Sequence, residues 1–272
     1  MLNIGWFSTG RDEAACQILQ TVQESIEAGK IQGKISFVFS NREQGEAKES
    51  DTLFELVRRY DIPLVCFSYR KFMTPTPTLS LEGRGLGASE VRQSQDDWRL
   101  RYDREVNKRI KKYCPDICVL AGYMLIIGKE LCQKYNMINL HPAPPNGPTG
   151  TWEEVIQILI RDKSKEAGAM MHMVTPELDR GPVVSYCTFP IIGTYFDVHW
   201  QGDDQEILFR LIREYELARE FPLIILTLQA LSRGEISIKH GKVIDAKGES
   251  IKGYNFSSKI DQVVEGKIGK CH

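Results

Sequence analysis

Short apolar runs, each closed by turn residues and followed by a stretch of helical spacing, recur along most of this 272-residue chain. Leu2 to Phe7 is the first, closed by Ser8-Thr9-Gly10. Behind it Ala15, Ile18, Leu19, Val22 and Ile26 line one face of a predicted helix over about 12–28. Ile35-Ser36-Phe37-Val38-Phe39 reads as a second strand, and 63–67 as a third, after a helix over about 51–60. A polar helix over about 96–113 leads to the buried strand Ile117–Ala121, which ends at Gly122. A short helix near 128–135, a strand over 137–140 and a helix over about 152–161 continue the rhythm. Two strands near 169–174 and 183–190 then precede a long helix over about 205–233. Strands separated by helices build a parallel sheet with right-handed crossovers. The expected class is therefore α/β: one domain over 1–272, an open, mostly parallel Rossmann-like sheet with helices on both faces.

Two segments depart from the rhythm. Residues 72–98 carry Pro75, Pro77, Gly83, Gly85 and Gly87, and read as a loop insertion at a pocket edge. In the tail, 234–272, Ile236, Ile238, Val243 and Ile244 alternate around His240-Gly241, which predicts a short β-hairpin.

Composition removes several classes of function. A net charge of −1 gives no electrostatic case for a nucleic acid or an anionic membrane as main partner. No run approaches the roughly 20 apolar residues that span a bilayer, and the N-terminal Met1–Phe7 run is too short for a signal sequence. The seven cysteines are odd in number, scattered among apolar runs, and form no CxxC. They read as reduced thiols in a cytoplasmic protein, with no metal site.

Polar residues interrupt the apolar pattern where predicted strands end, which is where open parallel sheets bind ligands. Asn139 and His141 lie two apart, so on an extended segment both side chains project to the same side. The loop His141-Pro142-Ala143-Pro144-Pro145-Asn146-Gly147-Pro148 that follows is conformationally restricted. Asp179 sits in the glycine-ended turn Leu178-Asp179-Arg180-Gly181-Pro182; an Asp before such a glycine also favours turns for structural reasons alone. An amide, an imidazole and a carboxylate together suit acyl transfer. The first two donate to a developing oxyanion, and the carboxylate moves protons and supports a charged imidazole.

In order and spacing, Val119-Leu120-Ala121-Gly122-Tyr123-Met124, then Ile138-Asn139-Leu140-His141-Pro142, then Leu178-Asp179-Arg180-Gly181-Pro182 resemble the folate-dependent formyltransferase family. Phe39-Ser40-Asn41 and Tyr102-Asp103-Arg104-Glu105 are similar to its phosphoribosylglycinamide branch. The resemblance implies that Asn139 and His141 stabilise the tetrahedral intermediate formed when an amine attacks the formyl group of 10-formyltetrahydrofolate. It further implies that Asp179 keeps His141 charged and relays the amine's proton. Tyr123, Met124, Leu125, Ile126 and Ile127, with Thr175, Pro176, Glu177 and Leu178, correspond to the walls of the family's folate pocket. His172 corresponds to a histidine near the same site. The implied partners are the folate donor and a small-molecule amine, with glycinamide ribonucleotide of purine synthesis as the leading acceptor.

The chain also departs from that branch. Ser8-Thr9-Gly10-Arg11-Asp12-Glu13 replaces a small glycine- and serine-rich loop that holds the substrate phosphate. Ser8, Thr9, Gly10 and Arg11, with His172, remain candidates for the substrate or its phosphate, because N–H groups at a helix start bind phosphate. Asp12 and Glu13 suit a helix start without any ligand equally well. Leu125 stands where the family has an arginine, and the loop after His141 lacks the family's leucines. An acceptor such as an amino-sugar nucleotide is therefore an alternative. So is hydrolysis of formyltetrahydrofolate, although that branch carries an N-terminal regulatory domain and here the catalytic domain begins at Met1. A non-catalytic ligand-binding relative is opposed by the retained Asn139, His141 and Asp179. A dehydrogenase-like module is opposed by the missing G-x-G-x-x-G.

Overall fold

The computed structural model describes residues 1–73, 88–200 and 205–268. Along the chain run β1 (Leu2–Phe7), α1 (Glu13–Glu27), β2 (Gly33–Ser40), α2 (Lys48–Arg59), β3 (Leu64–Cys66), α3 (Tyr69–Met73) and α4 (Ala88–Ile110). After a 3₁₀ turn at Lys111–Tyr113 come β4 (Ile117–Leu120), α5 (Lys129–Lys134), β5 (Met137–His141), α6 (Trp152–Arg161), β6 (Glu166–Met173) and β7 (Val183–Pro190). The remainder is α7 (Thr194–Trp200), α8 (Gln205–Ser232), β8 (Ile236–Lys239), β9 (Lys242–Asp245), β10 (Tyr254–Asn255) and α9 (Ser257–Ile268). The main sheet has eight strands in the order β10-β7-β6-β5-β4-β1-β2-β3, and β8-β9 is a separate hairpin. The expected α/β class and the C-terminal hairpin are both present.

The chain divides into two compact units. One comprises Asn3–Gln20 and Lys34–Met137. Within it β4 pairs parallel to β1, and β3 parallel to β2. Trp6, Phe7, Phe37 and Phe39 are fully buried, and Phe7 meets Phe37 edge-on at 5.9 Å between ring centroids. The consecutive buried residues of β1 and β4 reflect a sheet covered on both faces.

The other unit comprises Met1–Leu2, Thr21–Gly33 and Ile138–His272. Here β6 runs antiparallel to both β5 and β7, and β10 lies parallel to β7. Val155, Ile156 and Leu159 of α6 pack with Leu208 and Ile212 of α8 and with Phe189 and Phe196 in one cluster. A reciprocal cap starts α6: Thr151 Oγ1 accepts the Glu154 N–H at 3.4 Å, and Glu154 Oε2 accepts the Thr151 N–H at 2.7 Å. At the hairpin tip both His240 and Gly241 have positive φ, the conformation a two-residue turn between twisted strands requires.

The elements α3, α4, α7, β10 and α9 differ from the expectation. The helix α4 starts at Ala88, so residues 88–98 are helical and not loop; 74–87 lie outside the described residues. No glycine or proline follows Gly87 in that stretch, and a helix this polar has no apolar stripe to announce it. In the tail, β10 and α9 follow the hairpin; a two-residue strand is too short to show alternation. The seven-residue α7 was likewise not expected.

Candidate active site

Asn139, His141, His172 and Asp179 come together within the second of these units. The pairing of β5 with β6 sets Asn139 opposite His172 and His141 opposite Met170, so the amide and both imidazoles share one face of the sheet. Because β6 is antiparallel, its own carboxyl end does not bring Asp179 to β5. The loop after it folds back instead, closed by Met173 N–H donating to Pro182 O at 2.8 Å. Glycine is needed at 181, since a Cβ there would collide with the Met173 carbonyl oxygen. Asp179 itself has a left-handed backbone, φ 52°, which Asp tolerates better than most residues.

The Asp179 carboxylate is the hub. Gly150 N–H donates to Oδ2 at 3.2 Å, and the Asn139 amide donates to Oδ1 at 3.5 Å. His172 Nε2 lies 3.4 Å from Oδ1 and His141 Nδ1 3.6 Å from Oδ2. All three side chains of this acid–imidazole set are buried, Asp179 being 9% exposed. Burial pushes the Asp179 carboxyl up. The hydrogen bond with His172, the His141 charge and the Gly150 N–H outweigh it and hold the carboxyl below the ordinary carboxylate range.

Backbone carbonyls set the tautomers. His172 Nδ1 is 2.9 Å from Met173 O and must carry the proton that bonds it, leaving Nε2 to accept from the Asn139 amide at 3.3 Å or, once protonated, to face Asp179. His141 Nε2 is 2.9 Å from Pro148 O, so its proton points there and the Nδ1 lone pair faces the carboxylate. The expected permanent charge on His141 is not what this geometry yields. Burial lowers its pKa by more than Asp179 and Pro148 O raise it, with His172 and Arg180 adding to the lowering. The resting imidazole is neutral at pH 7, and a proton arriving at Nδ1 would be held between ring and carboxylate.

Pro148 and Gly150 were not legible as functional residues. The only hint was the Pro-Thr-Gly sequence after the restricted loop, whose Gly150 has φ 114°. A Cβ at 150 would strike the Glu154 carboxylate that caps α6. In the same unit, Thr175 Oγ1 donates to Glu177 O at 3.0 Å, and Pro176, Glu177 and Leu178 are exposed.

The remaining sequence candidates lie in the other unit. Tyr123 and Ile127 are buried, Leu125 is half-buried, and Met124 and Ile126 are 48% and 39% exposed. This alternation is that of an extended segment with one apolar edge outward. The amides of Ser8 to Gly10 are already occupied: Ser8 N–H donates to Phe39 O, Thr9 N–H to Gly122 O and Gly10 N–H to Ser8 Oγ. Asp12 Oδ1 accepts the Ala15 N–H at the start of α1. These three amides thus have protein partners where a phosphate would need free donors. Arg11 is exposed, with Nη1 3.8 Å from Met124 Sδ. Among the described residues, no group of three or more His, Cys, Asp or Glu side chains converges as a metal site, and no helix is long and apolar enough to cross a membrane.

Comparison with known proteins gives a consistent picture. The formyl transferase family profile matches residues 13–198. The phosphoribosylglycinamide formyltransferase of Escherichia coli is 26% identical over 211 residues, covering 76% of this chain and 79% of that protein. The formyltetrahydrofolate deformylase of Haemophilus influenzae is 26% identical over 147 residues, covering 53% of this chain and 43% of that protein. The solved structure of the Coxiella burnetii phosphoribosylglycinamide formyltransferase superposes with a TM-score of 0.68 at 21% identity, over 93% of this chain and 98% of that one, which establishes the shared fold.

Proposed function

Since the chain belongs to the formyl transferase family, we propose that it transfers a formyl group from 10-formyltetrahydrofolate to a small-molecule amine at the Asn139–His141–Asp179 centre. The observation that carries this reading is the convergence of Asn139, His141 and His172 on the buried Asp179 carboxylate. The acceptor nitrogen attacks the formyl carbon, and the formyl oxygen becomes an oxyanion. The amine's proton moves by way of Asp179 to His141 Nδ1, and the imidazolium so formed stabilises that charge together with the Asn139 amide. The bond from the formyl carbon to the folate nitrogen then breaks. The same proton passes back through Asp179, which adjoins both imidazoles, to the departing nitrogen. On the resemblance, Tyr123–Ile127 and Thr175–Leu178 correspond to the segments with which the family holds the donor.

Glycinamide ribonucleotide is the first acceptor to test, because the curated relatives are named for it. The occupied amides of Ser8–Gly10 favour an acceptor that places no phosphate at that turn; an amino-sugar nucleotide, with its diphosphate held elsewhere, is the second choice. The similarity to a deformylase motivates one alternative, with water as acceptor on the same centre. The test is a panel of amines incubated with 10-formyltetrahydrofolate and followed by mass spectrometry. A formylated product supports transfer, whereas formate released at the same rate with or without amine supports the hydrolase. Neither product would overturn both.

A further inference from the structure

Resting on the reading of Tyr123–Ile127 as a donor-binding wall, we propose that Thr9 and Asp103 are positioning residues that hold this wall at its two ends.

At the first end Thr9 uses its N–H and its hydroxyl for this segment, while its carbonyl oxygen accepts from Ser50 Oγ at 2.9 Å. Its N–H donates to Gly122 O at 3.0 Å. Its hydroxyl gives its single proton to Asn41 Oδ1 at 2.7 Å, which leaves the oxygen lone pairs free to accept the Met124 N–H at 2.9 Å. Asn41 thereby fixes the direction of the hydroxyl. The whole relay is buried, with Thr9 at 2% and Asn41 at 1% exposure. Thr9 thus has a built role that the phosphate candidacy did not supply.

At the other end Asp103, on α4, is 4% exposed and accepts the Gly128 N–H on Oδ2 at 2.6 Å. A Cβ on residue 128 would lie 2.5 Å from that oxygen, so only glycine lets the carboxylate approach so closely. The neighbouring Tyr102 is buried, donates to Phe67 O and lies beside the Tyr123 phenol. Arg104 forms a two-point ion pair with Glu130 on the helix that follows the segment. The Tyr102-Asp103-Arg104 run, which the sequence singled out without a role, therefore braces the wall from one helix. Between the two braces the chain is extended and free of regular pairing, and it turns Met124 and Ile126 outward. The two ties, together with the buried Tyr123 and Ile127, hold this exposed apolar edge in place, which lowers the ordering cost of binding a flat aromatic ligand.

The test is binding of tetrahydrofolate, measured by calorimetry, with donor KM and kcat in the formyl-transfer assay. Thr9→Val removes the hydroxyl and Asp103→Ala removes the carboxylate. Each is expected to weaken tetrahydrofolate binding about tenfold and to raise donor KM more than it lowers kcat. Thr9→Ser and Asp103→Asn, which keep an acceptor, are expected to recover most of the loss. Circular dichroism identifies the folded variants; if Asp103→Ala does not fold, Thr9→Val and its serine rescue decide. Wild-type affinity in folded Thr9→Val, or no recovery with serine, would overturn the proposal. Failure of the wild-type protein to bind tetrahydrofolate would overturn instead the donor reading on which it rests.

Discussion

Replacing Asp103 by asparagine should stabilise the protein at neutral pH and abolish one component of its pH dependence. Burial is the main cause that raises the Asp103 carboxyl from 3.8 to about 6, against the Gly128 N–H and the Arg99 charge, which lower it; Glu130 raises it further. Tyr102, Tyr123 and Cys132 face the same carboxyl and are themselves pushed up by burial and by its charge. A folded-state pKa above the unfolded one means that the folded chain binds the extra proton between those two values. The resulting stabilisation is complete below about pH 4 and is lost as pH rises through 6. At about 1.4 kcal/mol per unit, the ionised carboxylate costs the native state about 3 kcal/mol above that range. Asparagine keeps an oxygen for Gly128 and carries no charge to bury. Urea unfolding of both proteins at pH 4.5, 6 and 7.5 checks this. The variant should exceed the wild type by about 1 kcal/mol at pH 4.5 and by about 3 kcal/mol at pH 7.5. A constant difference at all three pH values, or a less stable variant at pH 7.5, would refute the reasoning.

Two further outcomes follow from the unit that holds the candidate centre. Gly181→Ala must push the turn away from Met173 O and open the Met173–Pro182 hydrogen bond. Because about 1 Å of misplacement at a reacting group can cost about a hundredfold, steady-state kcat should fall by that order while circular dichroism is unchanged; a wild-type kcat would show that the turn does not set Asp179. On α8, Arg213 Nη1 holds both Glu216, at 3.0 Å, and Glu220, at 2.6 Å. Burial and then the Glu220 charge push the Glu216 carboxyl well up, which favours its protonated form. Glu216→Gln should therefore change stability by less than about 1 kcal/mol, whereas Arg213→Ala should cost about 3–5 kcal/mol. Equal costs in urea melts would mean that Glu216 is ionised.

The parts of the fold that burial dictates were the legible ones. The strands β1, β2 and β4 each carry four consecutive buried residues, as a sheet covered on both faces requires, and α1 shows a clean apolar face. The start of α4 was hidden because polarity all round a helix leaves no period to detect. In the candidate centre, side-chain chemistry was readable in Asn139, His141 and Asp179, since a polar residue at a buried strand end stands out. Backbone chemistry was not. The Pro148 carbonyl that fixes the His141 tautomer and the Gly150 N–H that holds Asp179 are groups every residue owns, and only the fold aims them. The neutral state of His141 was missed for a related reason: sequence shows the carboxylate that favours charge, but not the depth of burial that outweighs it.

The central claim concerns where the chemistry takes place, and single-turnover formyl transfer with the donor bound tests it most directly. With an acceptor identified from the amine panel, wild-type, His141→Ala and Asp179→Asn proteins are compared at saturating 10-formyltetrahydrofolate. Both variants are expected still to bind the donor and to lose transfer by at least about a hundredfold. Transfer at the wild-type rate in either variant would place the reaction elsewhere.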